Sequence, residues 1–223
     1  MFTLIRSYAI SVLRGPSTWL VVLGASFFAW AGIALDLFGF DGSPHRSIGL
    51  TIGTFELAVV LLATRARLTG IASSDAEGFR AAVSHKAGAL ALEVGCATGV
   101  GVGASVACVP AIALIFVFYT LFPDVGWRMG ALLVGGLATE AALSAALVGV
   151  FARVAGRVPA IAIVVGAFVL ARSNVPSPLR AILPAPLPLG AAELLTNVVS
   201  ALLATLGFAV IASVIPDTNT ENA

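Results

Sequence analysis

The sequence predicts an all-α integral membrane protein with six transmembrane helices in one transmembrane domain, residues 1–223. Three observations predict it: hydrophobic residues make up 59% of the chain, charged residues make up only 10%, and the apolar residues form long runs between short polar segments. A soluble domain carries about 25% charged residues. This chain cannot cover a water-facing surface with so few, so the bilayer must act as its solvent.

Six apolar runs are predicted to span the bilayer, which a helix crosses with about 20 apolar residues, and the fifth of these runs is short. They cover about residues 19–37, 48–63, 89–122, 129–151, 160–171 and 191–215. The third run is long enough to be tilted, or to bend near Pro110. The sequence contains no internal repeat and no stretch typical of a soluble domain.

Residues 1–16 predict a different kind of helix. Apolar side chains recur at helical spacing from Phe2 to Leu13, and polar residues fill the other side. This pattern is typical of an amphipathic helix that lies in the membrane interface. A cleavable signal peptide is the alternative, because "AWA" at 29–31 resembles a cleavage site. The apolar run continues past it to Phe38, which favours a retained span.

The distribution of basic residues orients the predicted helices. With the N-terminus in the cytoplasm, eight basic residues lie inside and four outside, which favours this orientation with both termini cytoplasmic. The inside set is Arg6, Arg14, Arg65, Arg67, Arg80, Lys86, Arg153 and Arg157, and the outside set is Arg46, Arg128, Arg172 and Arg180. The formal net charge of +1 argues against a nucleic-acid partner.

Four glutamates fall within or near the apolar runs. Glu56 and Glu140 lie well inside their runs, whereas Glu93 and Glu193 lie near run ends and are predicted to be structural. A charge in hydrocarbon costs several kcal/mol, so Glu56 and Glu140 should face protein or a water-filled cavity. They could line a translocation path with Asn197, or serve a proton-linked switch. They could equally be carboxyls hydrogen-bonded to a neighbouring helix.

Small residues mark one face of the third run. Gly95, Gly99 and Gly103 repeat at four-residue spacing, and such a row lets two helix backbones approach closely. The row predicts a helix–helix contact, which a second subunit could supply. Cys96 and Cys108 are twelve positions apart in the same run, about 18 Å on a helix, too far for a disulfide within the chain.

The sequence lacks the residues of common enzyme sites. A phosphate-binding P-loop needs a lysine after its glycines, and the single lysine, Lys86, follows His85. The other histidine, His45, lies in a predicted outer turn, so neither suits a serine protease within the membrane. The usual clustered zinc spacings are also absent. The chain is therefore predicted to be non-catalytic, without a metal or cofactor of its own.

A charged segment interrupts the apolar sequence between the second and third runs. Residues 65–88 contain "GIASSDAEGFRAAVSHKAG", which has helix-forming composition and no proline. The segment is either a solvated connection or a structured cytoplasmic helix that docks a partner.

The order of these parts resembles the membrane subunit of an ABC-2-type ABC transporter over essentially the whole chain. In that family the segment between spans two and three commonly carries an acidic pair followed by Gly-Thr. Here "SSDAEGFRAAVSHKAG" offers Asp75, Glu77 and Gly78, followed by Phe79 and Arg80. Phe79 stands where threonine is usual, and the proline common soon afterwards is missing.

The resemblance implies a permease that does not hydrolyse ATP itself. Residues 65–88 would form a coupling helix that docks on a separate cytoplasmic ABC ATPase, which would bind ATP and Mg²⁺. The proline-rich connection 172–190 would dip back into the membrane from the outside. A second membrane subunit, identical or related, would complete an exporter in a bacterial or archaeal plasma (inner) membrane.

Two other kinds of protein fit the sequence. A stand-alone substrate-binding membrane protein or small secondary carrier would also have about six spans. It would not need the charged cytoplasmic segment, and its polar groups should converge on a pocket. A structural membrane subunit of a larger assembly is the third interpretation, because small-residue seams suit any partner.

Overall fold

The computed structural model describes residues 1–37, 44–72, 86–118, 127–172 and 191–215, and this part of the chain is helical. Its helices are α1 (Phe2–Arg14), α2 (Pro16–Leu37), α3 (Pro44–Ala72), α4 (Lys86–Phe118), α5 (Trp127–Ala155), α6 (Arg157–Ala171) and α7 (Ala191–Val214). The predicted all-α class is therefore confirmed for the described residues.

Four of the described helices are long and apolar enough to cross a membrane. The candidate spans are Pro16–Ala34, Gly88–Leu114, Leu133–Ala155 and Ala192–Val214. The other two predicted spans fall in α3 and α6. Helix α6 has 15 residues and is about 22 Å long, short of a hydrocarbon core of about 30 Å. The described helices thus fit a helical membrane protein with four long apolar spans.

Helix α5 is the centre of the bundle. It packs against α3, α4, α6 and α7, and residues 141–150 are buried without interruption. Alanine and glycine supply much of this stretch, which allows neighbours on every side to approach closely. Helices α2 and α7 lie at the periphery and expose large apolar side chains such as Phe27 and Leu203. This apolar periphery fits a membrane environment.

The glycine row Gly95, Gly99 and Gly103 faces α1. A Cβ atom on Gly99 would lie 2.6 Å from the carbonyl oxygen of Ile5, and one on Gly103 would lie 2.8 Å from that of Ala9. No side chain fits between backbones at these distances, so glycine is required at both positions. The predicted close contact is occupied here by a helix of the same chain.

The contacts between α1 and α4 also show how α1 is oriented. Leu4 contacts Gly95, and Val12 contacts Gly103. The two contacts are eight residues apart on each helix, a rise of about 12 Å, and they follow the same order along both. The two helices therefore run nearly parallel, and α1 lies lengthwise against a candidate span. The sequence predicts instead a helix in the membrane interface. The glycine row explains the difference, because it opens a groove along α4 for the apolar face of α1.

We expect Gly99→Ala to destabilise the protein by about 1–3 kcal/mol, the usual cost of overpacking. The new methyl group would collide with the backbone of α1 at Ile5. Gly24→Ala is the matched control, because a Cβ on Gly24 in α2 meets nothing within 4 Å and alanine favours a helix by about 1 kcal/mol. SDS-induced unfolding in mixed micelles measures both. Equal stability of the two variants would contradict the close α1–α4 contact.

Candidate functional site

Ionisable side chains meet deep inside the helix bundle in what we call the central cluster, formed by Glu56 of α3, Glu140 of α5 and Arg172, which follows α6. Arg172 Nη2 pairs with Glu56 Oε2 and lies 3.5 Å from Glu140 Oε1. The side chains of Glu56 and Glu140 are only 2% and 3% exposed, and that of Arg172 is 24% exposed. The two glutamates that the sequence singles out thus share one arginine.

The short helix α6 determines the depth of Arg172. Gly156 joins α5 to α6 with φ at +90°, a conformation that glycine adopts readily. Arg172 lies sixteen residues after Gly156, and Glu140 lies sixteen residues before it. Because α6 runs back along α5, the two side chains reach the same level. Phe168 holds the guanidinium there, since its carbonyl accepts a hydrogen bond from Nη1 at 3.0 Å and its ring centroid lies 3.3 Å from Cζ.

Two polar atoms near the central cluster are buried without a hydrogen-bond partner in the described structure. They are Oε2 of Glu140 and Oγ of Ser144, one turn further along α5. An unsatisfied buried polar atom costs about 1–3 kcal/mol, and more for a charged group. Such atoms are uncommon in folded proteins and point to a missing binding partner or a functional role.

A second group, which we call the end cluster, lies near the ends of three helices and contains Arg67 of α3, Glu93 of α4 and Arg153 of α5. Arg67 Nη2 pairs with Glu93 Oε2, and Arg153 Nη2 lies 2.5 Å from Glu93 Oε1. Arg67 and Glu93 are about 95% buried, whereas the side chain of Arg153 is 19% exposed. One carboxylate therefore bridges two guanidinium groups.

Neighbouring residues shape the end cluster. Gly149 of α5 provides space for Arg67, because a Cβ there would lie 2.7 Å from Arg67 Nη2. Tyr8 of α1 and Cys96 of α4 lie beside Arg67. Burial above all raises the pKa of Tyr8 to about 12, so its phenol stays neutral at physiological pH.

Helices α3 and α5 connect the two clusters. Glu56 and Arg67 are eleven residues apart on α3, about 16 Å, and Glu140 and Arg153 are thirteen residues apart on α5, about 20 Å. An apolar layer fills the space between them. Its buried members are Val60, Leu143, Leu147, Val148, Val164 and Phe168.

The remaining predicted site residues lie elsewhere. Asn197 is half-buried near the start of α7, which packs against α5. Glu193 is exposed in the first turn of α7. The predicted coupling residues Asp75, Glu77, Gly78, Phe79 and Arg80 lie outside the described residues.

The arginine partners of the buried acids were not predicted from the sequence. Arg67, Arg153 and Arg172 each follow an apolar run within four residues, and the sequence assigned them only to connections. The sequence did contain a usable signal, namely an arginine at the end of an apolar run that carries no other cation. A buried carboxylate needs a cation nearby, and the long side chain of such an arginine can reach back into the membrane-spanning part of the bundle.

Comparisons with known proteins found no relative of this chain. No protein-family model, curated protein or solved structure matches this chain. The functional interpretation therefore rests on the geometry described above.

We expect Glu93→Gln to destabilise the protein by about 3–5 kcal/mol, the usual cost of breaking a buried ion pair. The change leaves the guanidinium of Arg67, 5% exposed, without its counter-ion. Glu193→Gln is the control, because a change at an exposed carboxylate shifts stability by only about 0.5 kcal/mol. SDS-induced unfolding measures the stability of both variants. A Glu93→Gln protein as stable as the control would show that the end cluster does not hold the three helices together.

Proposed function

We propose that this chain is the membrane-spanning permease subunit of an ATP-driven ABC-2-type transporter, most simply an exporter, coupled to a separate cytoplasmic ATPase. The order of elements supports the proposal. Helix α1 precedes the first long span, the charged segment 65–88 overlaps the end of α3 and the start of α4, and the proline-rich segment 172–190 separates α6 from α7. In this arrangement α3 and α6 act as the second and fifth of six spans.

The end cluster is the observation that carries the proposal. Helix α3 ends at Ala72 and α4 begins at Lys86, so these two helices flank the proposed coupling residues. Arg67 and Glu93 join the same two helices, and Arg153 ties both to α5. Breaking such buried pairs is costly. A push on the coupling segment would therefore move the three helix ends together.

A movement of these helix ends would also change the positions of the residues in the central cluster. Glu56 is carried by α3 and Glu140 by α5, while Arg172 follows α6. A shift of α3 relative to α5 would change how the two carboxylates share the guanidinium. Packed helices switch between discrete arrangements rather than deforming smoothly, which suits alternating access to a path through the membrane. ATP and Mg²⁺ would bind to the partner ATPase and drive the switch.

The charge of the end-cluster region supports a cytoplasmic location. Arg65, Arg67, Arg153 and Arg157 all lie near this end of the bundle, and basic residues favour the cytoplasmic side. Both termini would then be cytoplasmic, in a bacterial or archaeal plasma (inner) membrane. The exposed apolar faces of α2 and α7 leave surface for lipid and for a second membrane subunit, either a copy or a relative.

A small secondary carrier, which would work without an ATPase, is the second candidate. The unpartnered Oε2 of Glu140 beside Arg172 favours it, because buried ionisable residues in membrane carriers often bind substrate or coupling ions. The two candidates differ in whether an ATPase binds the chain.

We expect the double change Glu77→Arg and Arg80→Glu to abolish binding of the ATPase, because it reverses the charges of the proposed docking surface. Pull-down of the tagged protein in mild detergent, followed by mass spectrometry, measures the ATPase recovered. The unchanged chain should retain a stoichiometric P-loop ATPase. Arg157→Glu is the control, because Arg157 is exposed at the same end of the bundle but outside the coupling segment, and it should retain the ATPase.

Two outcomes would contradict the transporter proposal. Normal ATPase recovery with the double variant would show that 65–88 is not the coupling segment. A preparation without any ATPase, under conditions that preserve other membrane complexes, would favour the secondary carrier.

A further inference from the structure

We propose that the junction of α1 and α2 binds the headgroup of an anionic phospholipid through Arg14 and Arg65, which we call the junction arginines. The proposal goes beyond the proposed function, because it needs neither an ATPase nor a transported substrate. Three observations carry it. Both arginines are exposed without a carboxylate partner, the fold brings Arg65 to the end of α1, and the surface becomes apolar directly beyond the junction.

The junction arginines carry positive charge that the described helices do not neutralise. Both are exposed, and neither forms an ion pair within the described ranges of the chain. Residues 1–35 contain no aspartate or glutamate, and neither do residues 57–72 of α3. On the neighbouring helix α4 the acid is Glu93, which is buried and pairs with Arg67 and Arg153 instead. An anion bound from outside the chain would supply the missing counter-charge.

The fold places Arg65 of α3 beside the end of α1. A Cβ atom on Gly15 would lie 3.7 Å from Arg65 Nη1, so this nitrogen lies beside the residue that directly follows Arg14. Positive charges held near one another repel unless an anion lies close to both. The rest of the outer side of α1 is polar as well, because its other side packs along the glycine row of α4. The exposed polar residues of α1 are Thr3, Arg6, Ser7, Ser11 and Arg14.

The exposed surface changes from basic to apolar directly beyond the junction. Residues 15–35 include no charged side chain, and exposed apolar residues of α2 follow one helix face at three- and four-residue spacing. Trp19 marks the change, since it is 44% exposed and its indole N–H donates a hydrogen bond to the Leu13 carbonyl at 3.1 Å. Tryptophan is enriched where hydrocarbon meets the headgroups, so the junction lies at the headgroup level. The exposed apolar residues of this face are Leu20, Leu23 and Phe27.

A phospholipid headgroup with a net negative charge matches this position. Its phosphate oxygens accept charge-assisted hydrogen bonds from guanidinium groups, which bind phosphate with two parallel N–H donors. Phosphatidylcholine carries a phosphate as well, but its choline group cancels the charge. Each basic residue near a membrane surface favours an anionic lipid by about fivefold. The acyl chains of the lipid lie along the exposed face of α2, a contact that a free phosphate ion lacks.

Native mass spectrometry of the full-length protein tests the proposal. The protein in mild detergent is mixed with equal amounts of phosphatidylglycerol and phosphatidylcholine that have the same acyl chains, and the lipids retained on the protein are counted. We expect phosphatidylglycerol to be retained in excess. Arg14→Gln and Arg65→Gln should each lower the ratio of retained phosphatidylglycerol to phosphatidylcholine by about fivefold, because each removes one positive charge.

Three comparisons separate lipid binding at the junction from other causes. Arg157→Gln is the matched control, because Arg157 is also exposed but begins α6, and it should leave the ratio unchanged. Arg14→Lys and Arg65→Lys keep the positive charge and should keep most of the ratio. In the unchanged protein, which no folding defect affects, raising the ionic strength should lower the ratio.

Four results would overturn the proposal. The first is equal retention of the two lipids by the unchanged protein, and the second is an excess of phosphatidylglycerol that survives both Arg14→Gln and Arg65→Gln. The third is an equal loss in Arg157→Gln, which would assign the preference to general surface charge. The fourth is displacement of phosphatidylglycerol by inorganic phosphate at constant ionic strength, which would assign the site to a free phosphate ion.

Discussion

The need to pair ionisable side chains inside an apolar bundle determines how the described helices are arranged. A buried charge is stable only when a partner lies within reach. Glu56 and Glu140 find theirs in Arg172, and Glu93 finds its partners in Arg67 and Arg153. These pairs join helices that are distant in sequence, and each cluster includes residues of both α3 and α5. Apolar packing alone lacks this directionality, because one apolar side chain can substitute for another.

The same need accounts for the unusual length of α6. A helix of 15 residues is shorter than a hydrocarbon core of about 30 Å, and it ends where its following residue meets two buried carboxylates. The turn at Gly156 and the length of α6 together bring Arg172 level with Glu140. A longer apolar helix would carry the arginine past these two carboxylates.

Local sequence patterns account for much of the fold, and distant pairing accounts for what they miss. Composition is enough to predict apolar helices, because the solvent of the chain follows from its lack of charge. The position of Glu56 and Glu140 inside apolar runs is enough to expect them to face protein, and both are buried. The pair between Arg172 and Glu56 joins residues 116 positions apart, and no local pattern specifies such a contact. The placement of α1 was missed similarly, because the glycine row indicates a close neighbour without identifying it.

The two clusters join the same pair of helices at two different levels. Glu56 and Arg67 are carried by α3, and Glu140 and Arg153 are carried by α5. Breaking a buried ion pair is costly, so a displacement of α3 relative to α5 at one cluster has to be accommodated at the other. Two connections at different levels therefore restrict the relative movement of α3 and α5 more than either connection would alone.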